Sequence, residues 1–129
     1  MMSSPILVVE DEQDLASTCA RLLERERWRV VTVGTRAAAL AALAGDPRPA
    51  LAIVDRYLPD GDGLDVLVAG RAAGVPVIVV TAYAPGRTRG LSLEGGATAF
   101  LSKPFSTRQL LGVVRGILGE APIALRSTS

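Results

Sequence analysis

Five short aliphatic runs punctuate the chain at residues 5–9 (PILVV), 29–33 (RVVTV), 51–54 (LAIV), 76–80 (PVIVV) and 97–102 (ATAFLS), with starts 21 to 25 residues apart. Their apolar positions are continuous rather than alternating, which fits strands covered on both faces, as in a parallel sheet. Helical periodicity fills the intervals. Leu15, Cys19, Leu22 and Leu23 recur at i, i+4, i+7 and i+8, one face of a first helix. Leu40 and Leu43 lie in an Ala-rich second helix after Gly34 and Thr35, a plausible N-cap. Leu64, Leu67 and Val68 mark a third. Leu110, Leu111, Val114, Ile117 and Leu118 mark the last, opened by residues 106–109 (STRQ) in the pattern of a capping box. The faintest helical signal is at residues 85–95, which hold few apolar side chains.

Strand and helix thus alternate five times. Right-handed crossovers then give a doubly wound α/β fold, a five-stranded parallel sheet with helices on both faces. At 129 residues the chain is sized for one domain, read as residues 1–119. Residues 120–129 (EAPIALRSTS) break the pattern and read as a tail or linker stub.

Composition narrows the chemistry. Hydrophobic residues make up 49% but aromatics only 4%, so the core must be aliphatic. Fourteen basic against 13 acidic residues leave a net charge of +1, without the basic excess of a nucleic-acid grip. No apolar run approaches the ~20 residues of a membrane span, and no signal peptide opens the chain, so a cytoplasmic location is expected. Histidine is absent, which removes Ser-His and Cys-His nucleophile pairs, His-ligated zinc and phosphohistidine on this chain. The single cysteine, Cys19, cannot form an internal disulfide and reads as a small core hydrophobe. Trp28 is expected to cover the edge of the sheet, and residues 25–27 to be a solvated helix end. Thirteen of the 14 cations are arginine, and the exception is Lys103.

In open α/β sheets ligands bind at the carboxyl ends of the strands. Those ends carry Glu10, Asp11 and Glu12 after the first strand, Asp55 after the third, Thr81 after the fourth and Lys103 after the fifth. Any one of these alone has a bland reading, a capping carboxylate or a solvated lysine. Acids, a hydroxyl and the only lysine at one edge are harder to dismiss. Two carboxylates about 4 Å apart repel by about 4 kcal/mol at an effective dielectric near 20, a cost that Mg²⁺ relieves. Lys103 and Thr81 would hold the oxygens of a phosphoryl group, and Asp55 would be the nucleophile that forms an aspartyl-phosphate.

With these residues in place the sequence resembles the response-regulator receiver domain of two-component signalling, over about residues 5–118. The motifs are residues 6–12 (ILVVEDE), 54–63 (VDRYLPDGDG), 80–82 (VTA), Gly96-Ala97, and 100–105 (FLSKPF), in order and correctly spaced. The resemblance implies a flavodoxin-like strand order 2-1-3-4-5 and Asp55 as phosphoacceptor. It implies Mg²⁺ on Asp11, Asp55 and the backbone carbonyl of Tyr57, with Glu10 supporting it through water. Thr81 and Lys103 would contact phosphoryl oxygens, Ala82 would keep the entrance open, and Thr81 with Phe100 would form the switch. The donor would be a phosphohistidine on a sensor histidine kinase or histidine phosphotransfer protein, docking near Leu15, Ala16 and Pro104. Output would run through the face of the fourth helix, fifth strand and fifth helix. No membrane is involved, direct nucleic-acid contact is not expected, and the chain is not expected to be an enzyme beyond assisting its own phosphorylation and dephosphorylation.

Departures from the family pattern are specific. Phe100 stands where tyrosine is commoner. Thr98, Ala99 and Gln109 stand where receivers of DNA-binding regulators often carry acids, leaving Arg87, Arg89, Arg108 and Arg115 without the partners of the usual dimer. Tyr57 and Tyr83, each two residues after a site residue, have two readings: they shield the acyl phosphate and lengthen its lifetime, or they simply pack over loops. Four other readings stand beside this one. An aspartyl-nucleophile phosphatase of the haloacid-dehalogenase type needs an acid where Tyr57 stands. A flavodoxin-like cofactor binder would not place residues 10–14 (EDEQD) against a phosphate. A degenerate receiver acting only as a binding module, or a receiver excised from a longer DNA-binding regulator or hybrid kinase, keeps the fold.

Overall fold

Each aliphatic run forms a strand in the computed structural model, which describes residues 4–82 and 85–119. The elements in chain order are β1 (Ile6–Val9), α1 (Gln13–Arg25), β2 (Val30–Val33), α2 (Arg36–Ala44), β3 (Leu51–Asp55), β4 (Tyr57–Leu58), β5 (Gly61–Asp62), α3 (Gly63–Ala72), β6 (Val77–Thr81), α4 (Pro85–Glu94), β7 (Ala99–Ser102) and α5 (Thr107–Leu118). Five strands form one parallel sheet in the order β2-β1-β3-β6-β7. This is the expected arrangement, renumbered by two short strands that the sequence does not announce. β4 and β5 pair antiparallel as a small ribbon directly after Asp55.

The strands are buried because alternate side chains feed two separate aliphatic layers. Ile6, Val8, Leu51, Ile53, Ile78 and Val80 face one way with Leu23, Leu110 and Val114 of α1 and α5. Leu7, Val9, Ala52, Val54, Val77 and Val79 face the other way with Ala39, Leu43, Val66 and Leu67 of α2 and α3. Each of the valines, leucines and isoleucines among them contributes about 1.5–3 kcal/mol by leaving water. Full coverage holds for β1, β3 and β6; the edge strands β2 and β7 are only partly buried.

Helix ends follow local chemistry. Thr35 caps α2 by accepting from the Ala38 amide (3.1 Å), and Ser106 with Gln109 forms the capping box of α5. Several face assignments need correction. Val68 is 63% exposed, and α3 instead buries Gly63, Val66, Leu67 and Gly70. Leu15 is also exposed, while Ala16 and Leu23 carry α1 inward. Trp28 immediately precedes the edge strand β2 and is buried in the α1/α5 layer. Within residues 25–27, Glu26 is not simply solvated but bonds Arg115 of α5. The fourth helix forms despite its thin apolar content, and among its described side chains the fully buried ones are polar, Thr88 and Ser92. Residues 120–129 and Tyr83 lie outside the described residues.

Candidate functional site

Strand register brings the candidate residues together. Val9 pairs with Val54, Asp55 with Val80 and Thr81 with Ser102, so the residues that follow β1, β3, β6 and β7 emerge at one edge of the sheet. The Lys103 amide donates to the Thr81 carbonyl (2.9 Å) and the Glu10 amide to the Val33 carbonyl (3.0 Å), extending the ladder one step into the loops.

There the Lys103 ammonium bridges two carboxylates, donating to Glu10 Oε1 at 2.6 Å and to Asp55 Oδ2 at 2.7 Å. Both acids are nearly buried, at 7% and 8% exposure. Backbone amides take the remaining oxygens: Glu12 N donates to Glu10 Oε2 (3.1 Å) and Tyr57 N to Asp55 Oδ1 (3.2 Å). Asp11 is exposed, and its carboxylate oxygen lies with those of Glu10 and Asp55 inside a 4.8 Å cluster. Lys103 therefore does not stand free for a phosphoryl group in this state; it neutralises the carboxylates. Burial raises the Glu10 carboxyl above its ordinary range, only partly offset by Lys103 and the Glu12 amide. For Lys103 burial works downward, but the hydrogen bonds it donates to both carboxylates outweigh it, and the ammonium is held above its usual value.

A cavity of about 370 Å³ opens over this cluster, lined by Glu10, Asp11, Glu12, Leu15, Asp55, Tyr57, Ala82 and Lys103. Tyr57, 45% exposed, stands on its wall. Thr81 ends β6 fully buried. Phe100 sits apart from the carboxylates, half-buried in a groove of about 500 Å³ with Arg89, Leu93 and Gln109. A second, apolar cavity of about 430 Å³ runs between α1 and the loop before α5, lined by Leu15, Cys19, Leu22, Pro104 and Phe105 among others. Burial pushes the Cys19 thiol there up to about 11.

Several residues that hold the site were not singled out in the sequence. A Cβ on Gly63 would overlap the Asp55 carbonyl oxygen, and the Gly63 amide donates to the Arg56 carbonyl at 2.5 Å; only glycine lets α3 start this close to the acceptor strand. Asp60, at the tip of the β4–β5 ribbon, accepts from the Arg36 and Ala37 amides (2.7 and 3.0 Å), which clamps the ribbon to the start of α2 and lowers the Asp60 carboxyl. Arg56 Nη1 donates to Thr88 Oγ1 at 2.9 Å. The run DGDG at residues 60–63 is a turn signal that pointed to part of this.

Three hard carboxylate oxygens at the ends of adjacent strands are a donor set that could hold Mg²⁺, which takes one or two carboxylates and keeps its waters. Among the described residues, no helix is long and apolar enough to cross a membrane.

Comparison with known proteins agrees with this geometry. The family model described as response regulator receiver domain matches residues 6–115. The chain is 36% identical over 115 residues to the probable transcriptional regulatory protein TcrX of Mycobacterium tuberculosis, covering 88% of the chain and 49% of the relative. It is 36% identical over 118 residues to the DNA-binding response regulator MtrA of Mycolicibacterium paratuberculosis, covering 91% and 52%. The chain thus spans about half the length of the curated relatives it matches. Among solved structures, the receiver domain of the sensor histidine kinase PA1611 of Pseudomonas aeruginosa superposes with a TM-score of 0.80 at 27% identity, covering 92% of this chain and 100% of that one; that protein has a magnesium ion coordinated in its active-site cleft. With a family model over most of its length and an acidic cluster at the carboxyl edge of a 2-1-3-6-7 sheet, this chain belongs to the response regulator receiver domain family.

Proposed function

We propose that the chain accepts a phosphoryl group on Asp55 from a phosphohistidine of a partner, a sensor histidine kinase or a histidine phosphotransfer protein. The observation that carries this reading is Lys103 bonded to both Glu10 and Asp55 beside Asp11, at the strand ends where the sheet opens to solvent. An oxygen of the Asp55 carboxylate forms a bond to phosphorus while the phosphorus–nitrogen bond breaks and the imidazole leaves. The Tyr57 amide on Asp55 Oδ1 keeps the carboxylate oriented. Lys103 and Thr81 then receive the phosphoryl oxygens. Asp11, Asp55 and the Tyr57 backbone carbonyl would hold Mg²⁺, with Glu10 in support, and the ion would supply charge neutralisation on carboxylates and phosphate. Thr81 and Phe100 carry the change to the α4–β7–α5 face, where an output partner binds. The protein is a switch rather than an enzyme, assisting only its own phosphorylation and dephosphorylation, and acts in the cytoplasm. The relatives' names bring DNA into view for those longer proteins. Without a basic excess in these 129 residues, we place no direct nucleic-acid contact on this part.

Intact mass after incubation with Mg²⁺ and acetyl phosphate, beside Asp55→Ala, tests the reading. A gain of one phosphoryl group in the parent alone is expected. Equal gain in the variant, or none in the parent, overturns it and leaves a binding module on the same fold.

A further inference from the structure

Arg56 follows the acceptor directly, and its side chain points away from the carboxylate cluster into a junction of three segments. Its Nη1 donates to Thr88 Oγ1 of α4 (2.9 Å), its Nη2 lies 3.4 Å from Asp62 Oδ2 of β5, and its Cζ sits 5.0 Å from the centre of the Tyr57 ring. The side chain is only 12% exposed. Its backbone is pinned as well, the amide donating to the Val80 carbonyl (3.0 Å) and the carbonyl accepting from Gly63.

The other end of this link is α4, whose described residues bury no apolar side chain fully. α4 turns Thr88 and Ser92 inward, one helical turn apart, while Leu93 is 53% exposed. Ser92 spends its hydroxyl on the Thr88 carbonyl within the helix (2.6 Å). Hydroxyls contribute far less than leucines to holding a helix on a sheet, so a directional bond from a buried guanidinium weighs heavily in the placement of α4. That bond starts one residue from Asp55.

We infer that Arg56 is a positioning residue that ties α4 to the acceptor loop, so that chemistry at Asp55 and the placement of α4 are read by one another. This rests on the proposed phosphoacceptor role of Asp55 and adds a route between site and helix that does not pass through Thr81 or Phe100. Charge-assisted hydrogen bonds are among the strong ones, and losing this one is expected to raise the local opening of α4 by roughly ten- to a hundred-fold.

The test is amide hydrogen exchange on the full chain, for the parent, Arg56→Met, Thr88→Val, the double variant and Thr88→Ser, with and without acetyl phosphate and Mg²⁺. Both single variants are expected to speed exchange in α4 while α1 and α5 keep their protection. The double variant should fall short of the sum of the two single effects, because both remove the bond between Arg56 and Thr88, and Thr88→Ser, which keeps the hydroxyl, should behave as the parent. Phosphorylation should shift α4 exchange in the parent and in Thr88→Ser, with that shift diminished in Thr88→Val, where only the route through Thr81 and Phe100 remains. Unchanged α4 exchange in the variants, additive effects, or an undiminished response to phosphorylation overturns the inference. If the parent gains no phosphoryl mass, the functional reading falls separately, and exchange without acetyl phosphate still decides whether Arg56 tethers α4.

Discussion

Replacing Lys103 with methionine keeps the length of the stem and removes the one charge bonded to both Glu10 and Asp55. What remains are three carboxylates within 4.8 Å of one another, two of them nearly buried. Two unit charges at that separation repel by about 3.5 kcal/mol at an effective dielectric near 20, and truncating one partner of a buried ion pair generally costs about 3–5 kcal/mol. A loss of about 3 kcal/mol at neutral pH without Mg²⁺ is expected, which lowers the urea midpoint by about 1.5 M for a slope near 2 kcal/mol/M. The pH dependence separates charge from packing. Glu10 already sits above its ordinary range because it is buried, and without Lys103 it rises further. A carboxyl raised in the folded state binds its proton more tightly there than when unfolded, so the variant regains stability as pH falls through that raised value. Millimolar Mg²⁺ should recover part of the deficit at neutral pH, by preferential binding to the folded state. Urea unfolding of parent and Lys103→Met, at neutral and mildly acidic pH and with and without Mg²⁺, measures all of this. Equal stability at neutral pH, or a deficit indifferent to both pH and Mg²⁺, would refute the electrostatic account and leave only the lost packing of the lysine stem.

Other outcomes follow from the same geometry. In the parent, Lys103 is raised above its ordinary value of 10.5; its contribution is complete below that value and lost as pH climbs through the higher folded one, so alkaline unfolding should come earlier in parent than in Lys103→Met when each is scaled to its own neutral stability. Gly63→Ala should cost about 2–3 kcal/mol in chemical unfolding, because the new methyl meets the Asp55 carbonyl and not a movable side chain; it should also slow phosphoryl uptake from acetyl phosphate. Iodoacetamide at mildly alkaline pH should label folded Cys19 at least about 100-fold more slowly than the unfolded chain, since a shift from 9.0 to about 11 removes that much thiolate before burial is counted; labelling at equal rates would contradict it. The double variant Tyr57→Asn, Tyr83→Glu should lose its phosphoryl group faster than the parent, and an unchanged lifetime would end the shielding idea.

Much of this protein was legible in its sequence because the relevant physics is local or one-dimensional. Five continuous aliphatic runs at a regular spacing imply a covered parallel sheet, and the rule that sites open at strand carboxyl ends places Glu10, Asp11, Asp55, Thr81 and Lys103 on one edge. The caps at Thr35 and Ser106 were equally readable, since a cap is satisfied by amides two or three residues away. Helix faces were less secure. Val68 and Leu15 fit an apolar spacing yet face outward, because which stripe turns inward depends on how far the neighbouring helix leaves room, and α3 settles onto the sheet through Gly63 and Gly70.

The interactions that tune the site joined residues far apart in the chain. That Lys103 is held between Glu10 and Asp55, 93 and 48 residues away, depends on strand register and the depth at which each side chain is buried. Arg56 reaching Thr88 depends on where α4 crosses the sheet, and Asp60 capping α2 depends on the β4–β5 ribbon folding over. Sequence by itself determined which residues are at the edge, through periodicity and strand length. Only the tertiary structure decided which of them touch, because a hydrogen bond is made within a few tenths of an ångström and no pattern along the chain carries that precision.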